Sequence, residues 1–91
     1  MVQKNRVVGL PPIQGRLLQV NTPYRFVVLD QGSDQGVRIG MVFSMVREAS
    51  MIGRVVITRV RPRFSAGEIL SIHGSTELRA GDFAIQVSTD Q

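Results

Sequence analysis

At 91 residues, with 43% apolar and 20% charged side chains, the chain has the composition of one small folded domain with a single modest core. It has no cysteine, which excludes disulfides, thiolate catalysis and cysteine-held metals, and its longest apolar runs, such as Val55–Ile57, are too short to span a bilayer. The net charge of +4 is concentrated, because Arg54, Arg59, Arg61 and Arg63 fall in a stretch without a single acid while the rest of the chain is balanced.

Residues 1–12 read as an extended N-terminal arm or linker, since Leu10-Pro11-Pro12 removes two backbone donors and favours polyproline geometry. Lys4 and Arg6 precede only Val7, Val8, Gly9 and Leu10, too few apolar residues for the core of an export signal. The expectation is either a cytoplasmic protein or a piece of a longer exported one, periplasmic or in the cell envelope. A β domain over residues 13–88 follows, with a tail at 89–91. Ile13 to Asn21 alternates and predicts a first strand that stops at Asn21-Thr22-Pro23. Tyr24 to Asp30, dominated by Phe26, Val27 and Val28, predicts a second.

From Val28 to Phe43 the sequence VLDQGSDQGVRIGMVF sets Gly32, Gly36 and Gly40 four residues apart between two apolar runs, which predicts a shaped turn with positive φ angles. Asp30, Ser33 and Asp34 carry short oxygen-bearing side chains suited to capping the loop's freed N–H groups. Their spacing lacks the order of a calcium loop, and a strand, not a helix, follows the glycines, which argues against a phosphate cradle.

Met41, Phe43 and Met45 share one face of a third strand, and Val42, Ser44 and Val46 the other. Met51 to Val60 predicts a fourth in which Val55 and Ile57 are in phase and Val60 is not, so a bulge is expected near Thr58-Arg59. Ala66 to Ile72 predicts a fifth. Ser75 to Asp82, STELRAGD, reads as a turn with one brief N-capped coil around Ser75 and Leu78, closed by Gly81-Asp82. Phe83, Ile85 and Val87 then alternate with Ala84, Gln86 and Ser88 in a sixth strand. Short strands at regular spacing with no helix-length amphipathic run predict an all-β fold, a small six-stranded, partly open β-barrel. Phe26, Phe43 and Phe83 fit its core, leaving Tyr24 and Phe64 outside.

The runs LDQGSDQGVRIGMVFSMVR, MIGRVVITRVRPRFSAGEIL and LRAGDFAIQV resemble small β-barrel modules of bacterial envelope proteins. One is the C-terminal domain of flagellar assembly protein T, with its glycine-rich turn before a strand and a late Gly-Asp before the last one. The other is the periplasmic part of the rod-shape-determining protein C, similar through the G-x-x-x-G-V-x-x-G-M pattern, then I-G-R-V-V, then a serine at Ser65. Gly32, Gly36, Val37, Gly40, Gly53, Ser65, Gly81 and Asp82 carry the likeness, which covers roughly residues 27–87. It implies a barrel in an envelope or surface-assembly protein, and most of these positions are turn and packing positions, not catalytic ones.

His73, the one histidine, has no nucleophile elbow or oriented base beside it and reads as a turn residue. No catalytic, metal-binding or cofactor-binding set is predicted. The functional candidate is cationic. Arg59, Arg61 and Arg63 are two apart, so an extended chain would point them to one side, with Arg54 and Arg38 nearby. Arginine outnumbers lysine, which suits bidentate contacts to carboxylate or phosphate. The expected role is a non-catalytic interaction or structural module that binds a protein with an acidic surface, or a second copy of itself. The alternative is a sequence-tolerant nucleic-acid binder of OB-like or SH3-like form using the Arg54–Arg63 strand, disfavoured by the few aromatics left for base stacking.

Overall fold

Alternation of apolar and polar side chains decides which face of each strand turns inward. In the computed structural model, which describes residues 11–87, this produces β1 (Gln14–Asn21), β2 (Phe26–Leu29), β3 (Val42–Arg47), β4 (Ser50–Val60), β5 (Ser65–Ile72) and β6 (Phe83–Gln86). All pairings are antiparallel, and the order β1-β2-β5-β4-β3-β6 closes on itself because β6 pairs with both β3 and β1. The six-stranded all-β reading holds, and the ring expected to stay partly open is closed, so each of the six strands has a neighbour on both sides. Residues 1–10 of the arm, Ser88 and the 89–91 tail lie outside the described residues.

The interior is filled by Leu17, Val27, Leu29, Phe43, Met45 and Ile57 with their neighbours. Two connections cross the ends of the barrel. Residues 30–41 run from β2 past β5 and β4 to β3 and seal one end with Val37, 2% exposed. Residues 73–82 run from β5 past β4 and β3 to β6 and seal the other with Leu78, 4% exposed. The coil expected around Ser75 and Leu78 is absent, since one isolated apolar side chain gives no helical face to bury and Leu78 serves as the plug. The one helical turn among the described residues is instead a 3₁₀ turn at Ser33–Gln35, inside the glycine loop.

The β4 bulge falls where expected, between Ile57 and Arg59, and others interrupt β4 at Arg54/Val55 and β1 at Leu17/Gln19. Bulges bend strands, which a barrel of this size needs. β2 begins later than predicted because Thr22–Arg25 forms a turn, with Arg25 at φ 58° and its N–H donating to the Thr22 carbonyl at 3.0 Å. Of the three phenylalanines expected in the core only Phe43 is there: Phe26 is half-buried, out of phase with the inward Val27 and Leu29, and Phe83 is exposed. Ala84 takes the inward position between Gly15 and Met45, leaving Phe83 47% exposed beneath the Arg16 guanidinium at 4.4 Å from the ring centre.

Candidate functional site

Four of the five candidate arginines, Arg38, Arg59, Arg61 and Arg63, lie toward one end of the barrel, where β2, β4 and β6 finish and β1, β3 and β5 begin. Gly32 is extended at φ −134°, so positive φ is not its role. It is glycine because a Cβ there would lie 2.6 Å from the Phe64 nitrogen and 2.7 Å from the Pro62 carbonyl carbon. That close approach lets the Ser33 and Asp34 N–H groups donate to the carbonyls of Arg61 and Pro62, each at 2.9 Å. Gly36 and Gly40 do adopt positive φ, 94° and 95°.

Capping of this loop differs from the expectation. Gln35 Oε1 accepts the Gly32 N–H at 2.7 Å, closing the 3₁₀ turn from within. Asp30 Oδ1 accepts the Arg16 N–H at 2.8 Å and so ties the end of β2 to β1, while Asp34 caps nothing among the described residues. Ser65, 1% exposed, donates its hydroxyl to the Gln31 carbonyl at 2.7 Å, which gives the serine of the sequence pattern a structural role. The glycine loop and the β4–β5 turn are therefore locked together.

Five arginines were expected to act together, and four do share this end. Arg59 lies on the outer face of β4, opposite Ala66. Arg61 and Arg63 have left the strand, in a turn closed by the Arg61 N–H donating to the Phe64 carbonyl at 2.8 Å. The two-residue spacing therefore does not give a straight stripe, because Pro62 supplies no N–H to continue the ladder. Arg38 follows the 3₁₀ turn. Arg54 lies midway along β4 between Ser44 and Ser71, away from the others. Among the described residues none of these five pairs with a carboxylate, and the one side-chain hydrogen bond is Arg61 to the Val60 carbonyl at 3.3 Å.

A groove of about 500 Å³ beside Arg38 is lined also by Pro11, Ile13, Gln35, Met41 and Gln86. A second hollow of about 280 Å³ shares Arg38, Met41 and Gln86 and extends to Ile39 and Val87. Sequence reasoning missed Ile13, Met41 and Gln86, which meet only because the start of β1 lies against the end of β6. The Gln86 N–H donates to the Ile13 carbonyl at 2.9 Å, and Gln86 Oε1 accepts the Ile13 N–H at 3.0 Å.

The opposite end carries an ion pair that sequence reasoning also missed. Arg47 donates from Nε and Nη2 to the two Asp82 oxygens at 2.9 and 2.8 Å, and from Nη2 to the Glu77 carbonyl at 2.8 Å. The Arg79 N–H donates to Asp82 Oδ2 at 2.8 Å, so the carboxylate organises the Gly81-Asp82 turn. Burial pushes the Asp82 carboxyl up, but the Arg47 and Arg79 hydrogen bonds and nearby positive charge outweigh it and leave the group below its ordinary value. The Asp82 bond likewise holds the Arg47 guanidinium above its ordinary value. His73, in the same connection, is exposed, and its N–H donates to the Ile52 carbonyl at 3.0 Å. Among the described residues no group of three metal-ligating side chains occurs, and no helix is long and apolar enough to cross a membrane.

A solved structure of MreC from Listeria monocytogenes matches 69% of this chain with a TM-score of 0.50 and 23% identity. The barrel shares its fold with part of MreC. The match takes in 29% of the MreC chain, so the present chain corresponds to a minor portion of that protein. No described protein family and no curated protein matches the sequence. The resemblance to the rod-shape-determining protein C is thus supported at the level of fold, and the one to flagellar assembly protein T rests on the sequence pattern alone.

Proposed function

We propose that the chain is a non-catalytic interaction module of a bacterial cell-envelope protein concerned with cell shape or surface assembly, and that it docks a protein partner through its arginine-bearing end. The observation that carries this reading is the gathering of Arg38, Arg59, Arg61 and Arg63 by two hydrogen-bonded loops at one end of a closed barrel, with no carboxylate partner among the described residues. Guanidinium groups fit carboxylates in a bidentate fashion, so the partner presents an acidic surface. The likeness to MreC supports an envelope location on the periplasmic side.

The nucleic-acid reading draws less support. Tyr24, 82% exposed, belongs to the β1–β2 turn at the opposite end, so Phe64 alone among the exposed aromatics accompanies the arginines, and base-stacking surfaces use several. Replacing Arg59, Arg61 and Arg63 together with glutamate tests the proposal. Partner capture is lost while the thermal transition stays in place. Unchanged capture contradicts the reading, and tight, steeply salt-dependent binding of the unsubstituted chain to single-stranded oligonucleotides would favour nucleic acid.

A further inference from the structure

We infer that the trough formed by the two adjoining hollows takes an extended segment of the partner, with a carboxylate side chain at Arg38 and aliphatic neighbours on Ile13 and Met41. This rests on the docking proposed above and specifies the chemistry of what docks. The two hollows share Arg38, Met41 and Gln86 in their linings, so they lie side by side. The trough floor is aliphatic, from Ile13 and Met41 to Val42, and Ile39, 70% exposed, forms the far lip.

The polar side chains around this floor offer donors. Gln86 Oε1 already accepts the Ile13 N–H, and Gln35 Oε1 already accepts the Gly32 N–H, while their amide nitrogens have no acceptor among the described residues. Arg38 adds a guanidinium with no partner among the described residues, and among those residues no carboxylate lines either hollow. Two adjoining hollows over apolar side chains, with a cation and side-chain amide donors between them, complement a chain rich in acceptors, meaning peptide carbonyls and an acidic side chain between aliphatic ones. Among the described residues no aromatic lines the trough, which disfavours a stacked base. Its recessed floor disfavours a flat lipid surface.

The test is an NMR titration of the isotope-labelled full chain with acetyl-Val-Glu-Leu-Glu-Val-amide, with the peptide in which both glutamates are glutamine, and with phosphatidylglycerol vesicles. The proposal predicts shifts at the Ile13 and Met41 methyls and the Gln86 side-chain amide, and about tenfold weaker binding of the glutamine peptide, the size of one charge-assisted hydrogen bond. Arg38→Gln should erase the difference between the two peptides, whereas the Arg59, Arg61 and Arg63 glutamate variant should keep it. Equal affinity for both peptides, no binding at millimolar peptide, shifts at other residues, or a response to vesicles alone overturns the trough. If Arg38→Gln keeps full partner capture and the triple variant loses it, the trough falls and the arginine-end reading stands. If the triple variant also keeps capture, that reading falls.

Discussion

Replacing Gly32 with alanine adds one carbon where the backbone of the facing turn already stands. The new Cβ would lie 2.6 Å from the Phe64 nitrogen and 2.7 Å from the Pro62 carbonyl carbon, with the Arg61 carbonyl oxygen closer still, while ordinary contact begins near 3.4 Å. Backbone atoms cannot rotate aside as a side chain does, so the loop must withdraw from the turn. Withdrawal breaks the hydrogen bonds from Ser33 to Arg61 and from Asp34 to Pro62. Two net hydrogen bonds at about 1 kcal/mol each, with overpacking of ~1–3 kcal/mol, give a loss of roughly 3–5 kcal/mol. Gly40 is the control, because nothing lies within 4 Å of its Cβ position and only its φ of +95° resists a side chain. Gly40→Ala therefore costs only backbone strain, ~1–2 kcal/mol. Urea unfolding of both variants beside the unsubstituted chain separates the two effects, and in heating each 1 kcal/mol lowers Tm by roughly 4–8 °C in a domain of this size. Equal losses in the two variants would refute the reasoning.

Asp82→Asn should destabilise the chain at neutral pH and not in strong acid. The folded Asp82 carboxyl sits below its ordinary 3.8, so it binds its proton less readily folded than unfolded, and its stabilisation is present above that value and lost as pH falls through the lowered one. The urea midpoints of the two chains, apart at pH 7, should converge as pH falls through the lowered Asp82 value, and a constant gap would contradict the assignment. Phe43→Ala removes the largest fully buried side chain and should cost about 3–5 kcal/mol in denaturant unfolding. Ser65→Ala leaves the Gln31 carbonyl without its donor in a buried setting and should cost roughly 1–3 kcal/mol, whereas Ser33→Ala, on an exposed side chain, should be nearly silent by the same measurement.

The strands were legible because stretches of alternation survive between their bulges, and the bulge near Arg59 was legible because Val60 falls out of phase with Val55 and Ile57. Phe83 was not, because both phases of β6 carry apolar residues and the choice of Ala84 for the interior is made by Gly15 and Met45 on other strands. The glycine loop was recognisable as a turn, but the reason for Gly32 lies in the backbone at 61–64, which no local pattern reveals. The arginines were visible as a cluster. Their arrangement was not, because a stripe presumes an extended chain and Pro62 ends the ladder before Arg63. The trough was invisible for the same physical reason as the Arg47–Asp82 pair, since each is made from side chains far apart in sequence and joined only by closure of the barrel.

Site-specific photocrosslinking in the cells that produce the chain tests the central claim most directly, with the reactive side chain placed in turn at Arg38, Arg59, Arg63 and, at the other end, Tyr24. The account predicts covalent capture of one protein from the three arginine positions, through a segment of it that carries carboxylates, and none from Tyr24. Capture from Tyr24 with none from the arginine end, or capture of nucleic acid at the arginines, would contradict it.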